Sequence, residues 1–181
     1  EAILDSYEAE RMPVMRDLLR SVAAQCALQF NFEPEGIALK RHLAEAIVPL
    51  PDVQRRLVHE LCGLGRPYPG ADQRHPLAGL HAPDLDLVRP DGSVTRLTEL
   101  LRERRFVLLD LEADQLGLCL PEAHGLALTH VKARAARPPA SLQGAKHLLI
   151  RPDAYVAWAG DAGSDGAPLL AEAARWLRGL A

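Results

Sequence analysis

A chain of 181 residues with a net charge of −3, 48% apolar and 25% charged, has ordinary globular composition and suits one domain, or a small domain with an appended segment. No basic stripe is present to neutralise phosphates, so nucleic acid is not an expected partner, and no apolar run approaches the roughly 20 residues that span a bilayer. Aromatic residues are only 4%, so the core must be built from Leu, Val and Ala.

Glu1 to Arg11 is charged and periodic rather than a signal peptide, and a cytoplasmic location is expected. The chain opens on Glu1, directly in helical pattern, which reads as part of a longer protein. Ile3, Tyr7, Val14, Leu18, Val22, Cys26 and Phe30 recur near the helical period. Pro13 interrupts them. It lacks a backbone donor, so a kink or a fresh helix is expected there, giving a short helix followed by one from 13 to about 30. A helix over 35–47 carries Leu39, Leu43 and Ile47 and is ended by Pro49 and Pro51. A third covers about 53–61, with Asp52 as its expected cap and Gly63 at its C-terminal turn.

The Gly/Pro-rich, charged stretch from Gly63 to about Asp84 is the expected boundary, dividing a helical segment (1–70) from an α/β domain (71–181). Beyond it, Leu85 and Leu87 lead into a turn at Pro90-Asp91-Gly92, and Val94 follows. Thr98 is placed to cap a short helix with Leu100 and Leu101. Phe106 to Leu109 is a continuous apolar run, the mark of a strand buried on both faces. The stretch 112–124 is poorly patterned, with room for a helix, and 127–133 alternates as a strand. His147 to Ile150 and Tyr155 to Trp158 read as two strands joined by a tight turn at Arg151-Pro152-Asp153-Ala154. A last helix starts near Pro168 and carries Leu169, Ala173, Trp176, Leu177 and Leu180.

The order βαβ then ββα is that of a thioredoxin-like domain. A working thioredoxin places a Cys pair after its first central strand, where the helix N-terminus lowers the thiol pKa, and a proline just before the hairpin pair. Here Glu112-Ala113-Asp114-Gln115-Leu116-Gly117-Leu118-Cys119 follows the strand, with no CxxC, and Gly144-Ala145-Lys146 precedes the hairpin. No disulfide oxidoreductase activity is expected, and a single-thiol peroxidase at Cys119 is an outside alternative. Cys26, Cys62 and Cys119 are read as half-buried small residues. The seven histidines (42, 59, 75, 81, 124, 130, 147) form no metal-ligand spacing and are read as surface or loop residues. Gly63-Leu64-Gly65 follows a helix and has Tyr68 where a dinucleotide fingerprint needs its third glycine. Asp161 and Asp165 are read as preceding and capping the last helix. Neither catalytic, cofactor-binding nor metal-binding residues are assigned.

Ile3 to Val14 (ILDSYEAERMPV) resembles a segment of class A FAD-dependent aromatic-ring monooxygenases, the group containing phenol, polyketide and rifampicin hydroxylases. Tyr7, Glu10, Arg11 and Pro13 match it, with an implied role in packing and a helix-end ion pair. HELCGLGRPY at 59–68, HPLAGLHAPDLDLVRPDGSVTRLTELL at 75–101, FVLLDLE and LIRPDAYVAW are similar to successive parts of the same family. The family usually has Gly at the position of Ala154. The resemblance implies a parent enzyme that hydroxylates an electron-rich ring using NAD(P)H, FAD and oxygen. It also implies that the FAD-binding motifs lie outside these residues, so this piece alone is expected to be inactive and to hold no cofactor. Its implied partner is the missing N-terminal flavin domain; a homodimer is a further expectation. The alternative is a free-standing, redox-inactive thioredoxin-like interaction module.

Overall fold

The computed structural model describes residues 2–68, 75–112, 128–162, 169 and 171–173, with side chains from Tyr7 onward. Backbone contacts divide the chain into two compact units, Leu4–Pro69 and Gly70–Ala181 together with Glu1–Ile3.

The first unit is helical. One helix, α1 (Ala2–Gln29), runs straight through Pro13. The expected break is therefore absent. Pro13 and Ala9 are both exposed residues, so water can reach the side of the helix where the Ala9 carbonyl loses its intrahelical donor. Helix α2 (Pro34–His42) continues into a π-helical turn at Leu43–Ile47. Helix α3 (Pro51–Leu61) starts two residues earlier than expected, with Pro51 in its first turn and Leu50 as the N-cap. Asp52 is thus inside the helix, where its carboxylate accepts a hydrogen bond from Arg55 (3.1 Å), and it caps nothing. Gly63 takes φ +71° and ends the helix as a left-handed residue, with the Leu64 N–H donating to the His59 carbonyl at 2.9 Å.

The second unit holds two sheets. Strands β1 (Asp86–Val88), β2 (Val94–Arg96) and β5 (Arg134–Ala135) form a small antiparallel sheet in the order β2-β1-β5. The β1–β2 turn is fixed by Asp91, whose Oδ1 accepts from the Ser93 N–H (2.8 Å) and hydroxyl (2.6 Å). Helix α4 (Leu97–Leu101) is capped from within. The Glu99 carboxylate reaches back to the Arg96 N–H (3.1 Å), so Thr98, the expected cap, lies inside the helix.

The main sheet has the order β4-β3-β6-β7, with β3 (Phe106–Asp110) parallel to β4 (Leu128–Lys132) and antiparallel to β6 (His147–Ile150), which pairs antiparallel with β7 (Val156–Gly160). This is a thioredoxin-type sheet. Alternation sends Val107, Leu109, Leu148 and Ile150 into one cluster with Leu87, Leu97 and Leu142. Phe106, Leu108, Leu149 and Trp158 go to the other face, packed with Leu169 and Ala173, which are helical. Both faces are covered, which is why β3 and β6 are apolar apart from Asp110 and His147 at one end. The stretch 113–127, including Cys119, and most of 163–181 lie outside the described residues.

Candidate functional site

The end of the sheet where a thioredoxin keeps its chemistry is the C-terminal end of β3 and the start of β6. Asp110 and His147 are cross-strand partners there, and both are fully buried. His147 Nδ1 lies 3.4 Å from Asp110 Oδ1, longer than an ordinary hydrogen bond. Asp110 Oδ1 accepts instead from the Glu112 N–H at 3.0 Å. Among the described residues, Asp110 Oδ2 and His147 Nδ1 have no hydrogen-bond partner.

Above this pair, Glu112 and Lys146 are 3.5 Å apart. Glu112 stands in the segment that carries the dithiol in a redox-active domain, and Lys146 stands where such a domain has its proline. Burial holds the His147 imidazole below its ordinary pKa; Asp110 and Glu112 pull it back up, and Lys146 pushes it down. The ring is therefore held neutral beside a carboxylate. Among the described residues, no thiol or hydroxyl stands at this pair. His75 sits buried near the end of β7, its Nδ1 accepting from the Leu77 N–H (3.1 Å) and its Nε2 3.4 Å from Asp161.

These contacts correct two expectations. His147 is buried in strand β6 rather than on the surface or in a loop, His75 lies in a loop but is buried there, and Cys26 and Cys62 are exposed rather than half-buried. The signal for His147 was its place at the head of an apolar strand covered on both sides. Asp161 meets His75, and Asp165 lies outside the described residues. Among the described residues, no group of three or more His, Cys, Asp or Glu is placed to hold a metal. No described helix is long and apolar enough to cross a membrane.

In the helical unit, the guanidinium of the motif residue Arg11 lies over two rings, 5.3 Å from the Tyr7 centroid and 4.8 Å from that of Tyr68. The motif lies in the body of α1. A shallow hollow lined by Asp52, Arg55, Arg56, His59, Glu60 and Gly65 is already self-neutralised by the Arg55–Asp52 and Arg56–Glu60 ion pairs.

Sheet order and site together define a thioredoxin-type α/β domain without a dithiol, preceded by a helical unit. The chain belongs to the aromatic-ring hydroxylase family, whose C-terminal domain matches residues 75–179. It is 38% identical over 165 residues to an aromatic compound monooxygenase of Bacillus subtilis that is itself uncharacterized, covering 88% of this chain and 31% of that protein. It is 35% identical over 167 residues to the 12-dehydrotetracycline 5-monooxygenase/anhydrotetracycline 6-monooxygenase of Streptomyces rimosus, covering 91% and 32%. Among solved structures, CabE, an aromatic hydroxylase from angucycline biosynthesis, superposes with a TM-score of 0.79 at 34% identity, covering 96% of this chain and 35% of CabE. The chain thus spans about a third of the length of these relatives, and it matches their C-terminal part.

Proposed function

We propose that this chain is the C-terminal portion of an FAD-dependent monooxygenase that hydroxylates an aromatic or polyketide substrate with NAD(P)H and oxygen, and that this portion is structural rather than catalytic. The observation that carries the reading is the replacement of a redox site by Glu112–Lys146 over a buried Asp110–His147 pair, in a domain of an aromatic-ring hydroxylase family. The monooxygenase names of the relatives support the activity of the parent protein.

The described glycine motif does not fit the pyrophosphate of a flavin dinucleotide. Gly63 and Gly65 follow helix α3 rather than a strand, and Gly63 is occupied as a helix C-cap, so no strand-to-helix cradle for a pyrophosphate is formed there. FAD and the nicotinamide cofactor belong to the flavin domain of the parent, which is the proposed partner of this piece. Two measurements test this. The purified 181-residue chain is expected to be colourless after desalting and inactive with NAD(P)H and phenolic substrates. The polypeptide extended upstream in its own reading frame is expected to carry flavin and consume NAD(P)H. Retained flavin in the short chain, or a flavin-free extended one, overturns the proposal.

A further inference from the structure

The turn between β1 and β2 carries a backbone bond that can rearrange unaided. Asp91-Gly92 is one of two Asp-Gly pairs in the chain, the other being Asp165-Gly166. An aspartyl carboxyl carbon lies within reach of the next backbone nitrogen, and glycine there offers no side chain to obstruct the approach. Gly92 has φ +83°, with nothing within 4 Å of where a Cβ would stand, and Asp91 and Gly92 are both exposed to water. The first step forms a bond from the Gly92 nitrogen to Asp91 Cγ. The nitrogen gives up its proton, the Cγ–O bond breaks and one water leaves, closing a succinimide ring. Water then adds back. Cleavage between the nitrogen and Cγ restores aspartate, whereas cleavage between the nitrogen and the main-chain carbonyl carbon yields isoaspartate. No electrons are exchanged, and the net change is an isomerisation. Water leaves only from the neutral carboxyl, so an ionised carboxylate resists the first step.

We propose that Asp91-Gly92 is a site of spontaneous isoaspartate formation in this protein, and that the Ser93 hydroxyl restrains it. Asp91 Oδ1 accepts from that hydroxyl at 2.6 Å and from the Ser93 N–H at 2.8 Å. These two hydrogen bonds, the hydroxyl's first, hold the Asp91 carboxyl below its ordinary pKa and so in the unreactive, ionised form. The attacking group is engaged as well, because the Gly92 N–H donates to the Arg89 carbonyl at 2.9 Å. Isoaspartate at 91 runs the main chain through the former side chain and makes the turn one carbon longer. That turn is closed by the Arg89 N–H donating to the Ser93 carbonyl at 2.9 Å, and it aligns β1, whose Leu87 is fully buried in the core. The modification therefore strains the hairpin that seats Leu87.

The unsubstituted 181-residue chain, Ser93→Ala and Ser93→Thr are aged at physiological pH and temperature. Isoaspartate is measured with an isoaspartate-specific carboxyl methyltransferase and located by peptide mapping, which separates residue 91 from residue 165. Loss of one hydrogen bond is expected to speed modification at Asp91 in Ser93→Ala by about threefold to tenfold, with Ser93→Thr close to the unsubstituted chain. The rate profile of Ser93→Ala is expected to lie at higher pH, because its carboxyl takes up a proton more readily. The unsubstituted chain unfolded in urea is expected to form isoaspartate at 91 faster than the folded chain, a comparison that stands even where Ser93→Ala folds poorly. Equal rates at 91 in the three folded chains, or in the folded and unfolded unsubstituted chain, overturn the restraint. No isoaspartate at 91 in the unfolded chain overturns the site itself.

Discussion

Asp110 and His147 face each other from adjacent antiparallel strands, fully buried, with Nδ1 and Oδ1 3.4 Å apart. The pair links the domain's stability to pH. Burial lowers the folded pKa of His147 below its unfolded value of about 6.5, so the unfolded chain takes up the proton first. The stabilisation is fully present above that unfolded value and is lost as pH falls from it towards the folded pKa. Chemical denaturation between about pH 8 and about pH 5 should show the midpoint falling on the acid side. His147→Asn removes that proton and should flatten this part of the profile while lowering stability throughout. An NMR titration should place the buried His147 below the ordinary imidazole value, and lower still in Asp110→Asn, which removes the charge that raises it. An unchanged acid slope in His147→Asn would count against the linkage.

The β6–β7 turn holds a residue in a conformation it does not favour. Ala154 has φ +66°, in the left-handed region, because its N–H must reach the Arg151 carbonyl (3.0 Å) and its own carbonyl must accept from the Ala82 N–H (2.8 Å). The turn is braced by Arg151, whose guanidinium donates to Asp153 at 2.8 and 3.1 Å. A methyl group in this region costs about 1–2 kcal/mol, and glycine returns part of the gain as unfolded-state entropy. Ala154→Gly should therefore stabilise the chain by about 0.5–1 kcal/mol, a shift that urea denaturation resolves. Ala154→Val should destabilise it.

Much of the fold was legible because its signals are local. The run Phe106 to Leu109, the Pro90-Asp91-Gly92 turn and the Arg151–Ala154 hairpin each carry their own pattern, and each forms where expected. Departures arise where a distant or flanking group decides. Pro13 stays within the helix on an exposed side that water can reach, and Thr98 loses its capping role to Glu99, which reaches back to Arg96. The buried pair Asp110–His147 joins residues that are distant in the chain. Their register, not their spacing, brings them together, so the sequence alone offered only two polar residues at the ends of two apolar strands.

The two units should respond in opposite ways to the same substitution. Leu149 is buried between Leu108, Trp158 and Leu169 on one face of the main sheet. Leu149→Ala should cost about 2–5 kcal/mol by lost burial and a residual cavity. Leu19→Ala on exposed α1 should stay within about 0.5 kcal/mol in the 181-residue chain. Thermal unfolding of both variants decides; equal losses would contradict the burial described here.

Arg11 and Tyr68 are 57 positions apart in sequence, yet the guanidinium lies 4.8 Å from the Tyr68 ring centroid, and it is also 5.3 Å from that of Tyr7. Two segments singled out separately in the sequence, Tyr7 to Pro13 and Gly65 to Tyr68, thus meet through a single cation. Such contacts contribute about 0.5–1 kcal/mol where the cation is exposed, as Arg11 is. Arg11→Met keeps much of the aliphatic bulk and removes the charge; Tyr68→Leu removes the ring; Tyr68→Phe keeps it. A double-mutant cycle of Arg11→Met with Tyr68→Leu should give a coupling of about 0.5–1 kcal/mol, while the cycle with Tyr68→Phe should give a coupling near zero, because the π face survives. Additive losses in the first cycle would mean that the two residues are neighbours without being partners.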